Sequence, residues 1–130
     1  MQAIKVLLIE DNLELGGLLQ EVLAEEIESV TWFVRARMDK ENIVLMNADG
    51  KEAVLSPSHF DVAMVDGRLS FGEMNGWDLT PKLVALGMRV FAMSGDTNIN
   101  KQMVGLGAEK SVDKFSVYSE ARKGTLFLKK

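Results

Sequence analysis

The 130-residue sequence has no cysteine, a single histidine, a modest net charge of -4 and no long hydrophobic run. Without cysteine there are no disulfides, no thiolate zinc sites and no cysteine nucleophile. One histidine, His59, leaves little scope for imidazole metal sites; it precedes an apolar run and reads as a surface or core-edge residue. The charge gives no general attraction to phosphate backbones, so no nucleic-acid partner is expected. The first apolar run, Ile4 to Ile9, is interrupted by Lys5 and stopped by Glu10 and Asp11, too short for a signal segment or a membrane span. No membrane partner is expected, and a cytoplasmic location is the default.

What is there is a chain of the usual size for one domain, with ordinary charged and apolar fractions. Its organising stretch is Phe60 to Asp66. Val62, Ala63, Met64 and Val65 have the length and composition of a strand buried on both faces, and the run ends in a carboxylate. Asp66 then emerges at the carboxyl end of a central strand, where crevices form in open parallel sheets. A strand-ending Asp by itself can equally mark a chain leaving the core. Here three other runs end in complementary polar residues.

Val6-Leu7-Leu8-Ile9 reads as a second buried strand ending in Glu10 and Asp11, whose charges repel unless a cation or basic side chain sits between them. Asp11 or Asn12 also suits the cap of the following helix. That helix carries Leu15, Leu18, Leu19, Val22, Leu23 and Ile27 at three- and four-residue steps. Its Gly16-Gly17 pair costs about 1–2 kcal/mol of propensity, and either allows close approach to the sheet or is a local weakness. Trp32 to Arg37 and Ile43 to Met46 read as two strands where simple strand–helix alternation needs one, so one is an edge addition. Asn47 to Gly50 is a turn, predicted to lead into a short helix over Lys51 to Leu55 that closes at Ser56-Pro57.

Beyond Asp66, a glycine-rich loop from Gly67 to Gly76 precedes a helix from about Trp77 to Leu86. Val90 to Met93 is a fourth buried strand, ending in Ser94-Gly95-Asp96, a hydroxyl beside a residue with no side-chain barrier; a plain Ser-Gly turn is the alternative. A helix from about Asn98 to Leu106 follows. The last strand, around Lys110 to Val112, leads to Lys114. The tail from Ser116 holds one short helix broken by Gly124, and Leu126-Phe127-Leu128 covers the core edge, pairs with a partner chain, or is an appended tail.

This βαβαβαβα order predicts an α/β fold, a doubly wound parallel sheet with helices on both faces and its strand ends on one rim. On that rim lie Glu10, Asp11, Asp66, Ser94 and Lys114. Three carboxylates without His or Cys suit a hard cation, and Mg²⁺ fits best. With the metal in place Asp66 can act as nucleophile toward a phosphoryl donor, Lys114 offering a point charge and Ser94 a hydrogen bond.

Leu7 to Asn12, Phe60-Asp61-Val62 to Asp66, Met74-Asn75-Gly76-Trp77, Ala92-Met93-Ser94-Gly95 and Gly107-Ala108 to Lys114, in this order, resemble the receiver domain of two-component response regulators. The resemblance covers nearly the whole chain, residues 1–130, as a single domain with an atypical stretch at 116–130. It implies a flavodoxin-like five-stranded sheet of order 2-1-3-4-5, here with an extra edge strand. It implies that Asp66 is the phosphoacceptor, that Glu10, Asp11, Asp66 and the backbone carbonyl of Arg68 hold Mg²⁺, and that Ser94 and Lys114 contact the phosphoryl group. A histidine kinase or phosphotransfer protein would be the donor, and an output protein of unknown identity would read the state.

The sequence departs from the family in four places. Phe115 stands where proline usually follows the lysine, commonly with a cis bond, and a non-proline cis bond costs about 2.5–4 kcal/mol. Ser111 stands where the switch aromatic is usual, so the ordinary coupling to the hydroxyl cannot operate in that form. Ser70 stands where proline is common, and residues 30 to 42 look inserted. The expected role is a receiver, free-standing or cut from a longer regulator, and not an enzyme in its own right. The alternative is a pseudo-receiver, an interaction module without a phosphorylation cycle. An aspartyl phosphatase is disfavoured because Gly67 and Arg68, not a second acid, follow Asp66. A flavin domain is disfavoured because Glu10-Asp11 would repel a phosphate.

Overall fold

The apolar runs become strands of one parallel sheet whose alternation sends successive side chains to opposite faces. In a computed structural model, which describes residues 2–69 and 73–128, the elements are β1 (Gln2–Ile9), α1 (Leu13–Ala24), β2 (Ile27–Phe33), β3 (Arg35–Asp39), β4 (Asn42–Met46), β5 (Glu52–Val54), β6 (Val62–Val65), α2 (Gly76–Ala85), β7 (Arg89–Ala92), α3 (Thr97–Gly105), β8 (Lys110–Ser111) and α4 (Val117–Lys123). The parallel sheet has the order β2-β1-β6-β7-β8, which is the 2-1-3-4-5 order when only its own strands are counted.

Val6, Leu8, Val62, Met64, Phe91 and Met93 face one side, with Leu19 and Leu23 of α1 and Val117 and Ala121 of α4. Leu7, Ile9, Ala63, Val65, Val90 and Ala92 face the other, with Leu79 and Leu83 of α2 and Ile99 and Met103 of α3. Burying a leucine- or phenylalanine-sized side chain contributes about 1.5–3 kcal/mol. The central strands therefore hold their registers firmly, because a one-residue slip would exchange the two faces.

The tail covers the core edge, one of its three open roles. Leu126 and Phe127 are buried, Phe127 meets Phe91 edge-on at 5.2 Å and 63°, and Arg89 donates to the Phe127 carbonyl at 2.6 Å. Gly124, at φ 73°, ends α4.

Two sequence expectations are corrected. Lys51 to Leu55 is not a helix: Glu52–Val54 is a strand antiparallel to β4. The Asn47 side chain accepts from the Asp49 and Lys51 N–H groups, and Gly50 takes φ 83°, so the chain turns back on β4. A five-residue segment has too few internal bonds to stay helical when a neighbouring strand offers a ladder. The first helix stops at Ala24, and Ile27, which fitted its period, instead pairs with Gln2 on the sheet.

The additional strand expected within 30–46 is present as part of a separate antiparallel sheet, β3-β4-β5, which occupies the place of a helix between β2 and β6. The alternation through Trp32–Arg37 is split by Val34, whose N–H turns to the Met46 carbonyl at 2.8 Å. Ala36, Ile43 and Leu45 pack this sheet onto the face carrying α2 and α3.

The glycine pair resolves into two different cases. A Cβ on Gly16 would collide with the Trp32 indole, whereas on Gly17 its nearest neighbour would be a Trp32 ring carbon at 3.9 Å. The Trp32 ring is pinned, since its Nε1 donates to the Glu10 carbonyl at 2.8 Å. Gly16→Ala is therefore expected to destabilise by about 1–3 kcal/mol, and Gly17→Ala to stabilise by about 0.5–1 kcal/mol, in urea unfolding. Equal effects of the two substitutions would contradict the packing described.

Candidate functional site

The register of three parallel strands decides which residues meet at the rim. Ile9 is level with Val65 and Val65 with Ala92, and the ladders run one residue further through Asp66 N–H to Ile9 O (3.0 Å), Met93 N–H to Val65 O (2.9 Å) and Val112 N–H to Ala92 O (2.7 Å). Glu10 and Asp66 leave adjacent strands side by side. Both are buried.

One carboxylate oxygen from each of Glu10, Asp11 and Asp66 lies within 4.8 Å of the other two. Asn12 is the cap: its side chain accepts the Leu15 N–H (3.0 Å), and its own N–H donates to Glu10 Oε2 (3.3 Å). Gly67 N–H donates to Asp66 Oδ1 at 2.8 Å.

Lys114 arrives from the end of β8, with Nζ 2.6 Å from Glu10 Oε1 and 3.4 Å from Asp66 Oδ2. No peptide bond among the described residues is cis. Asp113 Oδ1 accepts the Phe115 N–H at 2.9 Å and turns the chain into a short 3-10 helix. Lys114 thereby points inward, while Phe115 is 91% exposed. One ammonium lies against two of the three carboxylates, Glu10 and Asp66. Burial, and then the neighbouring Glu10 carboxylate, push Asp66 up to about 7, with Lys114 pulling the other way. Burial lowers Lys114, and its bonds to Glu10 and Asp66 outweigh that and leave it raised.

The donor set fits a hard divalent cation on two grounds. The cluster offers only carboxylate oxygens, at a spacing one small ion can bridge. It also carries more negative charge than Lys114 neutralises, and buried Glu10 Oε1 receives no well-formed hydrogen bond besides its contact with that ammonium. Arg68 lies two residues beyond Asp66. Its carbonyl accepts no hydrogen bond from a described residue, and its guanidinium sits 6.0 Å from the Trp77 ring centre.

Ser94 stands against the loop that follows Asp66, where a Cβ on Gly67 would lie 3.1 Å from its Oγ. A Cβ on Gly76 would collide with the Asp66 carbonyl, so only glycine lets α2 begin this close to the end of β6; Gly76 N–H donates to Gly67 O at 2.7 Å. Glu10, Asp11, Asp66 and Lys114 are thus brought together, with Ser94 at their border.

A groove of about 370 Å³ runs on from Ser94 between Asn100 and Lys114, with Ser111 on its wall. His59 is exposed on a 3-10 turn ahead of β6, away from the rim. Asp96 caps α3 through the Asn98 and Ile99 N–H groups. Ser70 lies outside the described residues, as does Phe71.

Three residues support the site without having been candidates for it: Trp32, bound to the Glu10 carbonyl; Asn75, whose side chain accepts the Leu69 N–H at 3.1 Å; and Asn100, which holds Ser94. Only Asn75 had a local signal, its place before Gly76 at the start of a helix.

No family profile matches the chain, and no curated protein does. Solved structures do. NtrX from Brucella abortus superposes with a TM-score of 0.67 at 11% identity, over 95% of this chain and 27% of that one. The receiver domain of that protein alone gives 0.66 at 11% identity, over 95% and 100%. A response regulator protein from Burkholderia pseudomallei, solved with a phosphorylated aspartic acid, calcium ion and citrate, gives 0.60 at 18% identity, over 93% and 70%. The fold is that of response regulator receiver domains.

The folded protein keeps a proton on Asp66 up to about pH 7, whereas an ordinary aspartate releases it near 3.8. Folding therefore takes up a proton between those values, and stability falls as pH rises through them. In cation-free buffer, Asp66→Asn is expected to melt at least ~5 °C above wild type at pH 8 and level with it at pH 3.5. An equal offset at both values would contradict the electrostatics of the cluster.

Proposed function

We propose that this chain is a phosphorelay receiver that accepts a phosphoryl group on Asp66 from a phosphohistidine on a histidine kinase or phosphotransfer protein. The observation that carries the proposal is the buried cluster of Glu10, Asp11 and Asp66 with Lys114 2.6 Å from Glu10. In the transfer, an Asp66 carboxylate oxygen attacks phosphorus, the P–N bond breaks, and the donor imidazole leaves neutral or takes a proton from solvent. Lys114 is placed to meet the phosphoryl oxygens with positive charge, and Ser94 to donate a hydrogen bond to one of them. Gly67 N–H, now on Asp66 Oδ1, holds the carboxylate in one orientation.

Glu10, Asp11 and Asp66, with the Arg68 carbonyl, are the residues that would hold Mg²⁺. When bound, that ion supplies charge neutralisation for a dianionic phosphoryl group entering an acidic site. Phosphorylation then signals by changing the affinity of the chain for an output partner. The chain spans about a quarter of the NtrX chain it matches, and a role within a longer regulator is part of this proposal.

A second reading, an interaction module with no phosphorylation cycle, is favoured by one observation. Lys114 already meets part of the cluster's charge through its short contact with Glu10, without a cation.

Intact mass after incubation with acetyl phosphate separates the two. The receiver is expected to gain one phosphoryl group with Mg²⁺, at least about tenfold less in EDTA, and none in Asp66→Asn. A folded protein that gains none under any of these conditions is the interaction module.

A further inference from the structure

Ser94 lies beyond the last ladder residue of β7, where its backbone groups have no neighbouring strand to pair with. One side chain from the next helix supplies both partners: Asn100 Oδ1 accepts the Ser94 N–H at 2.9 Å, and Asn100 Nδ2 donates to the Ser94 carbonyl at 2.8 Å. Asn100 lies in the first turn of α3, and helical side chains lean toward the N-terminus, here back over the Ser94 loop. Two bonds to one residue's backbone fix its position and the plane of the following peptide. A neutral hydrogen bond contributes about 0.5–1.5 kcal/mol, and leaving buried backbone groups unpaired costs more.

The loop is held at a second point. Asp96 N–H donates to Ser94 Oγ at 3.0 Å, while the Asp96 side chain caps α3 through Asn98 and Ile99. Ser94 Oγ thus already receives a hydrogen bond, and its own proton has no acceptor among the described residues. With its Cβ fixed by Asn100 and pressed beside Gly67, the hydroxyl keeps one donor free beside the Asp66 loop. The groove along Ser94 has Asn100 and Lys114 on its walls, and Lys114 Nζ lies 3.4 Å from Asp66 Oδ2, so the clamp shares a groove with the ammonium that stands beside Asp66.

We infer that Asn100 is a positioning residue for phosphoryl transfer: it sets the Ser94 hydroxyl toward the phosphoryl group and acts through Ser94 alone. This rests on the receiver reading and goes beyond it, because it assigns a role outside the rim.

The test is a double-mutant cycle with acetyl phosphate and Mg²⁺, following initial phosphorylation rate and subsequent loss of the phosphoryl group by intact mass. Ser94→Ala and Asn100→Ala are each expected to slow phosphorylation by about tenfold, and Asn100→Ala to add less than about twofold in the Ser94→Ala background. Asn100→Asp is isosteric and keeps the acceptor for the Ser94 N–H while losing the donor to its carbonyl. Its shape is that of the wild-type side chain, which guards the test against loss of packing, and because a carboxylate oxygen then faces the Ser94 carbonyl where an N–H stood, its rate is expected at or below that of Asn100→Ala.

Wild-type rates in both Asn100 variants, or an Asn100→Ala effect undiminished in the Ser94→Ala background, would overturn the inference while leaving the receiver reading intact. A folded wild type that takes up no phosphoryl group overturns both.

Discussion

Three carboxylates crowd together at the level ends of β1 and β6, with one ammonium against two of them, and the rest of the molecule either creates that crowding or makes it tolerable. The crowding comes from register. Because Ile9 is level with Val65, the residues after them cannot avoid each other, and because both strands are covered on both faces the repulsion acts in a medium far less polar than water. Asp66 responds by holding its proton to about pH 7. Lys114 answers part of the charge, and its inward direction depends on the turn that Asp113 makes with Phe115. A divalent cation answers the remainder in the account proposed.

The inserted antiparallel sheet is the main departure from a simple strand–helix alternation, and it touches the same region. Met74 N–H bonds to the Ala36 carbonyl at 3.3 Å, and Met74 is buried in the cluster that contains Ala36, Ile43 and Leu45. Glu73 lines a cavity of about 200 Å³ with Arg35, Arg37 and Glu52, where Arg37 and Glu52 form a two-bond ion pair. Met74, just ahead of α2, therefore rests on β3.

Much of this was legible in the sequence where one force dominates. The fully apolar runs at Val6–Ile9, Val62–Val65 and Val90–Met93 admit little besides buried strands, and the polar residues that end them fall on the rim because parallel strands all point one way. The carboxylate cluster and Lys114 followed from that. The turn at 47–50 is legible, but a helix over Lys51 to Leu55 is not what forms, because a short amphipathic segment has no preference strong enough to resist a neighbouring strand, and the Asn47 side-chain turn that decides the matter resembles a helix cap. Ile27 fitted the helical period and the strand equally. Asn100 and Trp32 escaped notice because their roles depend on where a side chain meets a distant backbone group, which no periodicity encodes.

The central claim is that the carboxylate cluster is built to hold a cation, and the direct measurement is a Mg²⁺ titration followed by the fluorescence of Trp32, whose indole is bonded to the Glu10 carbonyl. Trp77→Phe leaves Trp32 as the sole tryptophan. The account predicts a saturable change fitted by one site, abolished by Asp11→Asn and weakened by about tenfold per unit as pH falls below the Asp66 value of about 7. A folded protein whose Trp32 emission and melting temperature are both unmoved by Mg²⁺ would contradict it.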